Sequence, residues 1–313
     1  MEIVKEIINL TEQFPRMTIA LGTFDGIHRG HQKIISRAVD LAKEINGTSV
    51  VFTFSNHPLS MVAPGRCPLQ LVTQEDKAEL IEKLGVDVLL TIPFTPKFLK
   101  YSAAQFIDLA LENLNPKHIV IGPNYFFGYK RSGTPELLQQ AGVQHGFKVE
   151  IHPIVYVDDI IVSSTLIRQM IGTGNVDQAA HLLGRPVKVS GTVIHGAKRG
   201  RKLGYPTVNL EVAHHLILPA DGVYAVSLTI ENIHYNGIAN IGNNPTFSGI
   251  ERRLEVHILN FSGDLYGQSL TVCFLKHIRG QITFSSGEEL KSQIHHDIKA
   301  AEVYYLSTNL NKE

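Results

Sequence analysis

The stretch Gly22-Thr23-Phe24-Asp25-Gly26-Ile27-His28-Arg29-Gly30-His31 decides the fold of the first half of this chain. The apolar run Met17–Leu21 leads into it and reads as a short buried strand. Ile34, Ala38, Leu41, Ala42 and Ile45 follow at helical spacing, and Asn46-Gly47 reads as the stop. The stretch is therefore a strand-to-helix turn, where backbone N–H groups and the helix dipole favour an anion. Gly22, Gly26 and Gly30 let the backbone come close to a ligand. His28 and His31 stand three residues apart, on one face of the helix mouth, as a clamp for a polyphosphate would. The alternatives for two such histidines are zinc ligation, which needs three or four protein ligands, or simple helix capping. Neither a Walker Gly-Lys-Ser/Thr nor a Rossmann Gly-x-Gly-x-x-Gly fits the turn.

Outward from this turn, strand and helix signals alternate. Thr48–Ser55 has the composition of a buried strand and runs into Asn56-His57-Pro58, where Pro58 holds His57 extended. Thr73 caps a helix over 74–84, closed by Gly85, and Val86–Ile92 is the next strand. Ser102 and Gln105 form a capping box ahead of the apolar stripe Phe106, Leu109, Ala110 and Leu114. His118–Ile121 is a strand, Thr134-Pro135 opens a helix, and Phe147–Ile151 is a fifth strand. This alternation predicts a parallel sheet covered on both faces, with ligands at the carboxyl ends of its strands. Gly22–His31, Ser55–Pro58, Gly122–Gly128 and Val162–Arg168 all fall at such ends or just beyond them.

A helix over Asn175–Leu183 is broken by Gly184-Arg185-Pro186, and the pattern then changes. Val187–Ile194, Gly222–Ile230, Ile233–Ile241, Leu254–Phe261 and Leu270–Ile278 are strand-like, with no helical pattern between them. They predict a small closed antiparallel barrel, followed by one terminal helix that Ser286 and Glu289 open and Leu290, Ile294, Ile298 and Ala301 anchor. The expected domains are residues 1–184 and 185–313. Three places in the second half carry chemistry. The loop Gly196–Gly204, with Lys202, is glycine-rich and basic and suits phosphates. Thr207 and Asn209 lie two residues apart on an extended segment, as oxygen ligands for Mg²⁺ would. Glu255 places a carboxylate in an apolar strand, which is uncommon unless the charge is paired or used.

A chain of 313 residues with zero formal net charge is long enough for two cores and has no basic run for nucleic acid or an anionic membrane. Cys67 and Cys273 make no disulfide framework. The opening MEIVKEIINL is unlike a signal peptide, and no run of 18 apolar residues occurs. The expected setting is the cytoplasm, with small molecules as partners, no nucleic acid, no membrane, and a monomer or weak homo-oligomer.

The His-x-Gly-His after a strand resembles the nucleotidyltransferase superfamily. GTFDGIHRGH, SNHP, GPNYFFG and SSTLIR, in that order, resemble the FMN adenylyltransferase module of the prokaryotic bifunctional riboflavin kinase/FAD synthetases. GRKLGYPTVNL, PADGVYAV, NIGNNPTF, RRLEVHILNF, LYG and FSSGEELKSQIHHD resemble its riboflavin kinase domain. The resemblance implies a Rossmann-like nucleotidyltransferase domain followed by a kinase barrel. It implies ATP-dependent conversion of riboflavin to FMN and of FMN to FAD, with Mg²⁺. The turn residues Gly22, Phe24, Asp25, Gly26, His28 and His31, with Ser164 and Arg168, would hold ATP in the first half. Gly196, Lys202, Gly204 and Thr207 would do so in the second. His57, Asn124 and Tyr125 would face the flavin, Thr207 and Asn209 would hold the metal, and Glu255 would be the base. Thr23 departs from a frequent Asn, and Asn124-Tyr125 from a common Asp-Phe. Two alternatives stand beside this reading: an enzyme in which only one half works, the substituted flavin loop making the first half the one to fail, and a flavin- or nucleotide-sensing protein without turnover, which would have no use for Glu255.

Overall fold

The computed structural model describes the whole chain except residues 8, 197–199, 201, 202, 247, 248 and 311–313. The chain divides into two compact units, Met1–Ser164 and Thr165–Glu313. The first unit is a six-stranded parallel sheet in the order β1-β4-β3-β2-β5-β6. Its strands are β1 (Glu2–Val4), β2 (Thr18–Leu21), β3 (Ser49–Phe54), β4 (Val88–Ile92), β5 (His118–Ile121) and β6 (Lys148–Ile151). The main helices are α1 (Arg29–Glu44), α3 (Gln74–Glu82), α5 (Ala103–Leu114) and α6 (Pro135–His145), with the single turns α2 (Leu59–Val62) and α4 (Pro96–Leu99). A two-stranded hairpin, β7 (Tyr156–Val157) with β8 (Ile160–Ile161), follows β6.

Alternation along each strand builds two cores. Ile19, Leu21, Val50, Phe52, Leu90 and Ile121 face one layer with Phe106 of α5 and Leu138 of α6. Ala20, Val51, Leu89 and Val120 face the other, with Ile35 and Val39 of α1 and Ile81 of α3. Strands buried on both faces are what a parallel sheet requires. The helix caps are those the side chains dictate: Thr73 Oγ1 accepts from Asp76 N–H, and Ser102 and Gln105 cap each other reciprocally. The edge strand β1, paired with β4, is an addition to the five strands expected.

The second unit opens with α7 (Ser164–Gly172, whose first residue closes the first unit) and α8 (Val176–Leu183). The barrel closes in the order β10-β13-β12-β11-β14-β9. Its strands are β9 (Val187–Ile194), β10 (Val208–Glu211), β11 (Gly222–Ile230), β12 (Ile233–Thr246), β13 (Gly249–Ile258) and β14 (Ser269–Arg279). Strands β9 and β11 coincide with the expected runs, β14 is one residue longer at each end, β12 runs on to Thr246, and β13 spans Gly249–Ile258 where Leu254–Phe261 is expected; β10, which carries Asn209, is the sixth strand. The compact unit starts before residue 185 because α8 packs on β9 and β14 and the Ala220 N–H bonds Ile171 O at 3.1 Å. The terminal helix, Gly287–Leu310, is fixed by Ala301 and Tyr305, both buried against β11 and β12. The Tyr305 hydroxyl accepts from Val226 N–H at 3.0 Å and lies 2.6 Å from Gly237 O. Ser286 Oγ caps Glu289 N–H, but Glu289 reaches back to Ser285 rather than Ser286.

Candidate functional site

In the first unit the turn 22–31 leaves the carboxyl end of β2, and the Gly22 N–H still continues the ladder to Phe52 O. The turn is strained: Phe24, Gly26 and Ile27 all have left-handed φ, at 50°, 84° and 40°. Only Gly26 adopts this without penalty, and a Cβ there would also strike Leu71. Such strain persists where neighbours over-determine the backbone. Here the Asp25 carboxylate accepts from Leu71 N–H at 3.0 Å, the Asp25 carbonyl from Ser164 Oγ at 2.9 Å, and the Ile27 carbonyl from Gln32 Nε2 at 2.9 Å. Ser164 is therefore brought to the turn, as a tie on its backbone. Arg168 lies half-buried on α7, in the second unit.

His28 is the N-cap of α1, with Nδ1 accepting from His31 N–H at 3.3 Å. Capping is thus realised, and it carries a consequence. An Nδ1 lone pair in use leaves Nε2 as the protonated, donating nitrogen of a neutral ring. The rings of His28 and His31 stack, with centroids 3.5 Å apart and planes 20° apart, and His31 meets the Phe24 ring edge-on. Among the described residues no group of three His, Cys, Asp or Glu side chains could hold a metal, so zinc finds no ligand set there.

Beside the turn lies a pocket whose lining includes Thr23, Asp25, Asn56, His57, Gln74 and Lys77. His57 is half-buried, and its Nδ1 accepts from Leu59 N–H at 3.1 Å, which starts α2. Asn124 is exposed in the loop after β5, whereas Tyr125 packs on the core beside Phe127. Burial pushes the Tyr125 phenol well above its ordinary value. Lys77 was not foreseen. It is 5% exposed, and its ammonium donates to Thr23 O, Thr53 Oγ1 and Phe54 O. The one sequence signal was its place four residues before Ile81, on the buried face of α3.

In the second unit β10 puts Asn209 directly opposite Glu255 of β13, and β12 puts Asn240 opposite Glu255 on the other side. Leu254 and Val256 are fully buried in the barrel, so the half-buried Glu255 faces outward with its two amide neighbours. Arg252 is committed to Asp221 at 2.8 Å and to Pro219 O, so it is not the partner of Glu255. Asn209 is 6% exposed, and its Oδ1 has no hydrogen-bond partner among the described residues. A Cβ on Gly196 would collide with the Asn209 amide, so glycine keeps that approach open. Thr207 is half-buried just before β10, where His257 Nδ1, two residues beyond Glu255, bonds Pro206 O at 2.7 Å. Gly204 lies in the exposed turn ahead of it, and Lys202 falls outside the described residues.

A FAD synthetase family model matches residues 10–166 and a riboflavin kinase model matches residues 183–305. The bifunctional riboflavin kinase/FMN adenylyltransferase of Buchnera aphidicola subsp. Schizaphis graminum is 39% identical over 97% of this chain and 99% of its own. That of Pseudomonas fluorescens is 38% identical over 96% and 97%. A crystal structure described as a macrolide-efflux protein from Streptococcus pneumoniae is 33% identical, with a TM-score of 0.87 over 96% of this chain and 99% of that one. No helix among the described residues is long and apolar enough to cross a membrane. With both family models matched and full-length relatives 38–39% identical, the chain belongs to the bifunctional riboflavin kinase/FMN adenylyltransferase family.

Proposed function

We propose that this chain phosphorylates riboflavin to FMN on the outer face of its barrel and adenylylates FMN to FAD at the 22–31 turn, using ATP twice. The observation that carries the kinase assignment is the cross-strand pairing of Asn209 with Glu255, which joins the Pro-Thr-x-Asn and Glu-x-His motifs at one point. Glu255 accepts the proton of the ribityl 5′-hydroxyl as that oxygen attacks the γ-phosphorus, and ADP leaves. Thr207 and Asn209 offer hard oxygen ligands, and the unsatisfied buried Asn209 Oδ1 suits a cation. Mg²⁺ held there would neutralise charge on the triphosphate.

In the first unit no protein nucleophile is needed. A phosphate oxygen of FMN attacks the α-phosphorus of ATP, and pyrophosphate leaves in line. The chain supplies position and charge stabilisation: the α1 N-terminus, the Nε2–H of His28, and His31 stacked on it. Asp25 shapes the turn, its carboxylate accepting from Leu71 N–H and its carbonyl from Ser164 Oγ. Arg168 of α7 is a planar fork suited to phosphate oxygens, His57 and Asn124 face the flavin, and Tyr125 supports the loop after β5 from the core. The residues for adenylyl transfer lie within 1–184 and those for the kinase within 185–313, while α8, at the end of the first stretch, packs on β9 and β14. The protein works in the cytoplasm on small molecules, as a monomer or weak homo-oligomer without nucleic acid.

The test is riboflavin with ATP and Mg²⁺, with FMN and FAD resolved by chromatography. Both products are expected. FMN alone would remove the adenylyl-transfer assignment, and neither would leave a flavin- or nucleotide-binding protein without turnover.

A further inference from the structure

We propose that Lys77 is a positioning residue for adenylyl transfer, locking the strained 23–27 turn to the end of β3 so that the turn's backbone N–H groups keep the geometry the nucleotide needs. The inference rests on FAD formation at that turn. Its starting point is a hydrogen-bond count. An ammonium has three N–H donors, and Lys77 has three acceptors: Thr53 Oγ1 at 2.7 Å, Thr23 O at 2.8 Å and Phe54 O at 3.3 Å. With its donors saturated by protein, the group touches no substrate, although it lines the pocket.

The acceptors belong to two segments far apart in sequence. Thr23 opens the turn after β2, and Thr53 and Phe54 end β3 just before Ser55-Asn56-His57-Pro58. Thr53 Oγ1 also donates to Thr23 O at 3.0 Å, so one carbonyl receives both a buried hydroxyl and a buried ammonium. That carbonyl immediately precedes Phe24, the first left-handed residue of the turn. Left-handed φ at Phe24 and Ile27 strains the backbone and needs an external clamp. The other ties hold Asp25 and Ile27 from Leu71, Ser164 and Gln32, and Lys77 with Thr53 holds the entry.

A purely structural fastener would not need a charge here, because burial of an ammonium is costly. The third donor that only the protonated form possesses is matched by a third acceptor. The protonated lysine also holds a fixed positive charge beneath a turn that receives polyphosphate, with the Asp25 carboxylate as its favourable charged neighbour.

The experiment compares wild type, Lys77→Met, Thr53→Val and Thr53→Ser in the full chain. FAD formation from FMN and riboflavin phosphorylation are each measured at saturating substrates, beside a thermal melt. Misplacing a turn by a fraction of an ångström to an ångström costs about 10–100-fold in rate, so Lys77→Met is expected to lose that much of kcat for FAD formation. KM for ATP and FMN should change far less, and riboflavin phosphorylation should not change. Thr53→Val should show a smaller loss in the same kcat, which Thr53→Ser, with the hydroxyl restored, recovers. A folded Lys77→Met with kcat for FAD formation within twofold of wild type would overturn the proposal. So would a melting temperature that falls while kcat per folded molecule stays. If Lys77→Met does not fold, the Thr53 pair decides: equal kcat for Val and Ser refutes the clamp, and loss with recovery supports it. A wild type that forms no FAD would refute the adenylyl-transfer reading beneath it.

Discussion

Glu255 carries the sharpest consequence of any single residue. Gln is nearly isosteric and can still hydrogen-bond, but it cannot take a proton at neutral pH. Loss of a positioned base costs about 10²–10⁴ in rate, so Glu255→Gln should abolish FMN formation while supplied FMN still becomes FAD. Arg252 is already paired with Asp221, so removing the Glu255 charge does not strand that cation. Full kinase activity in Glu255→Gln would remove the assignment of the base. His31→Ala tests the other unit, where loss of one positioning donor should cost FAD formation about 10²–10³ in rate and leave FMN formation near normal. Parallel loss of both products in folded protein would contradict separate sites. Lys77 adds a pH dependence. Burial pushes its ammonium down to about 8 from 10.5, against the pull of Asp25. Between those values the unfolded chain binds more protons than the folded one, so this residue makes stability rise with pH across that window. The stability of wild type relative to Lys77→Met should therefore increase from about pH 8 to 10.5 in denaturant titrations. Parallel pH profiles for the two proteins would contradict the burial of a charged lysine.

At the scale of elements, the approach of the β9 end to β10 is the most sensitive packing detail. Gly196 lies against the Asn209 amide with no room for a Cβ. Gly196→Ala should displace Asn209 and lower riboflavin phosphorylation at least tenfold, about the effect of a misplaced ligand group. The barrel melt should shift little, because Gly196 lies beyond β9 and outside the ladder. An unchanged kinase rate would mean that Asn209 does not act in the reaction. The same scale shows what the sequence could and could not reveal. Strands β9 and β11 were readable to the residue, because long alternating runs end in glycine or polar turns. The edge strand β1 is three residues long and exists through its pairing with β4, so no local pattern announces it. Four-residue β10 follows Pro206 and contains Asn209, which together look like a turn, and only its partners β9 and β13 make it a strand. The histidines, Thr207, Asn209 and Glu255 were readable because their motifs are local. Lys77 was not, because a lysine on a helix is ordinarily a solvated charge, and the acceptors that bury it come from β2 and β3.

For the whole molecule, the question is where an independent kinase begins. The sequence pattern changes at Gly184–Pro186, but the compact unit begins at Thr165. Helix α8 buries Val176, Ala179, Leu182 and Leu183 to 3% exposure or less, packed on β9 and β14. Asp177 pairs with Lys276 of β14 at 2.6 Å, and Ile171 of α7 accepts from Ala220 N–H. Uncovering Val176, Leu182 and Leu183 and their partners forfeits about 1.5–3 kcal/mol per large side chain. That is a large share of the ~5–15 kcal/mol that stabilises an ordinary domain. The exposed Asp177–Lys276 pair adds little, as exposed pairs do. A fragment from Thr165 to Glu313 is therefore expected to fold and to convert riboflavin to FMN. A fragment from Arg185 should melt many degrees lower and bind a hydrophobic dye where α8 has been removed. The measurements are thermal melts and FMN formation on both fragments. Equal melting temperatures would show that α7 and α8 contribute nothing to the barrel's stability. A folded Thr165–Glu313 fragment without kinase activity would show that residues before Thr165 are required for riboflavin phosphorylation. Such a result would leave Glu255→Gln and Gly196→Ala in the full chain as the way to separate the barrel's own chemistry from that requirement.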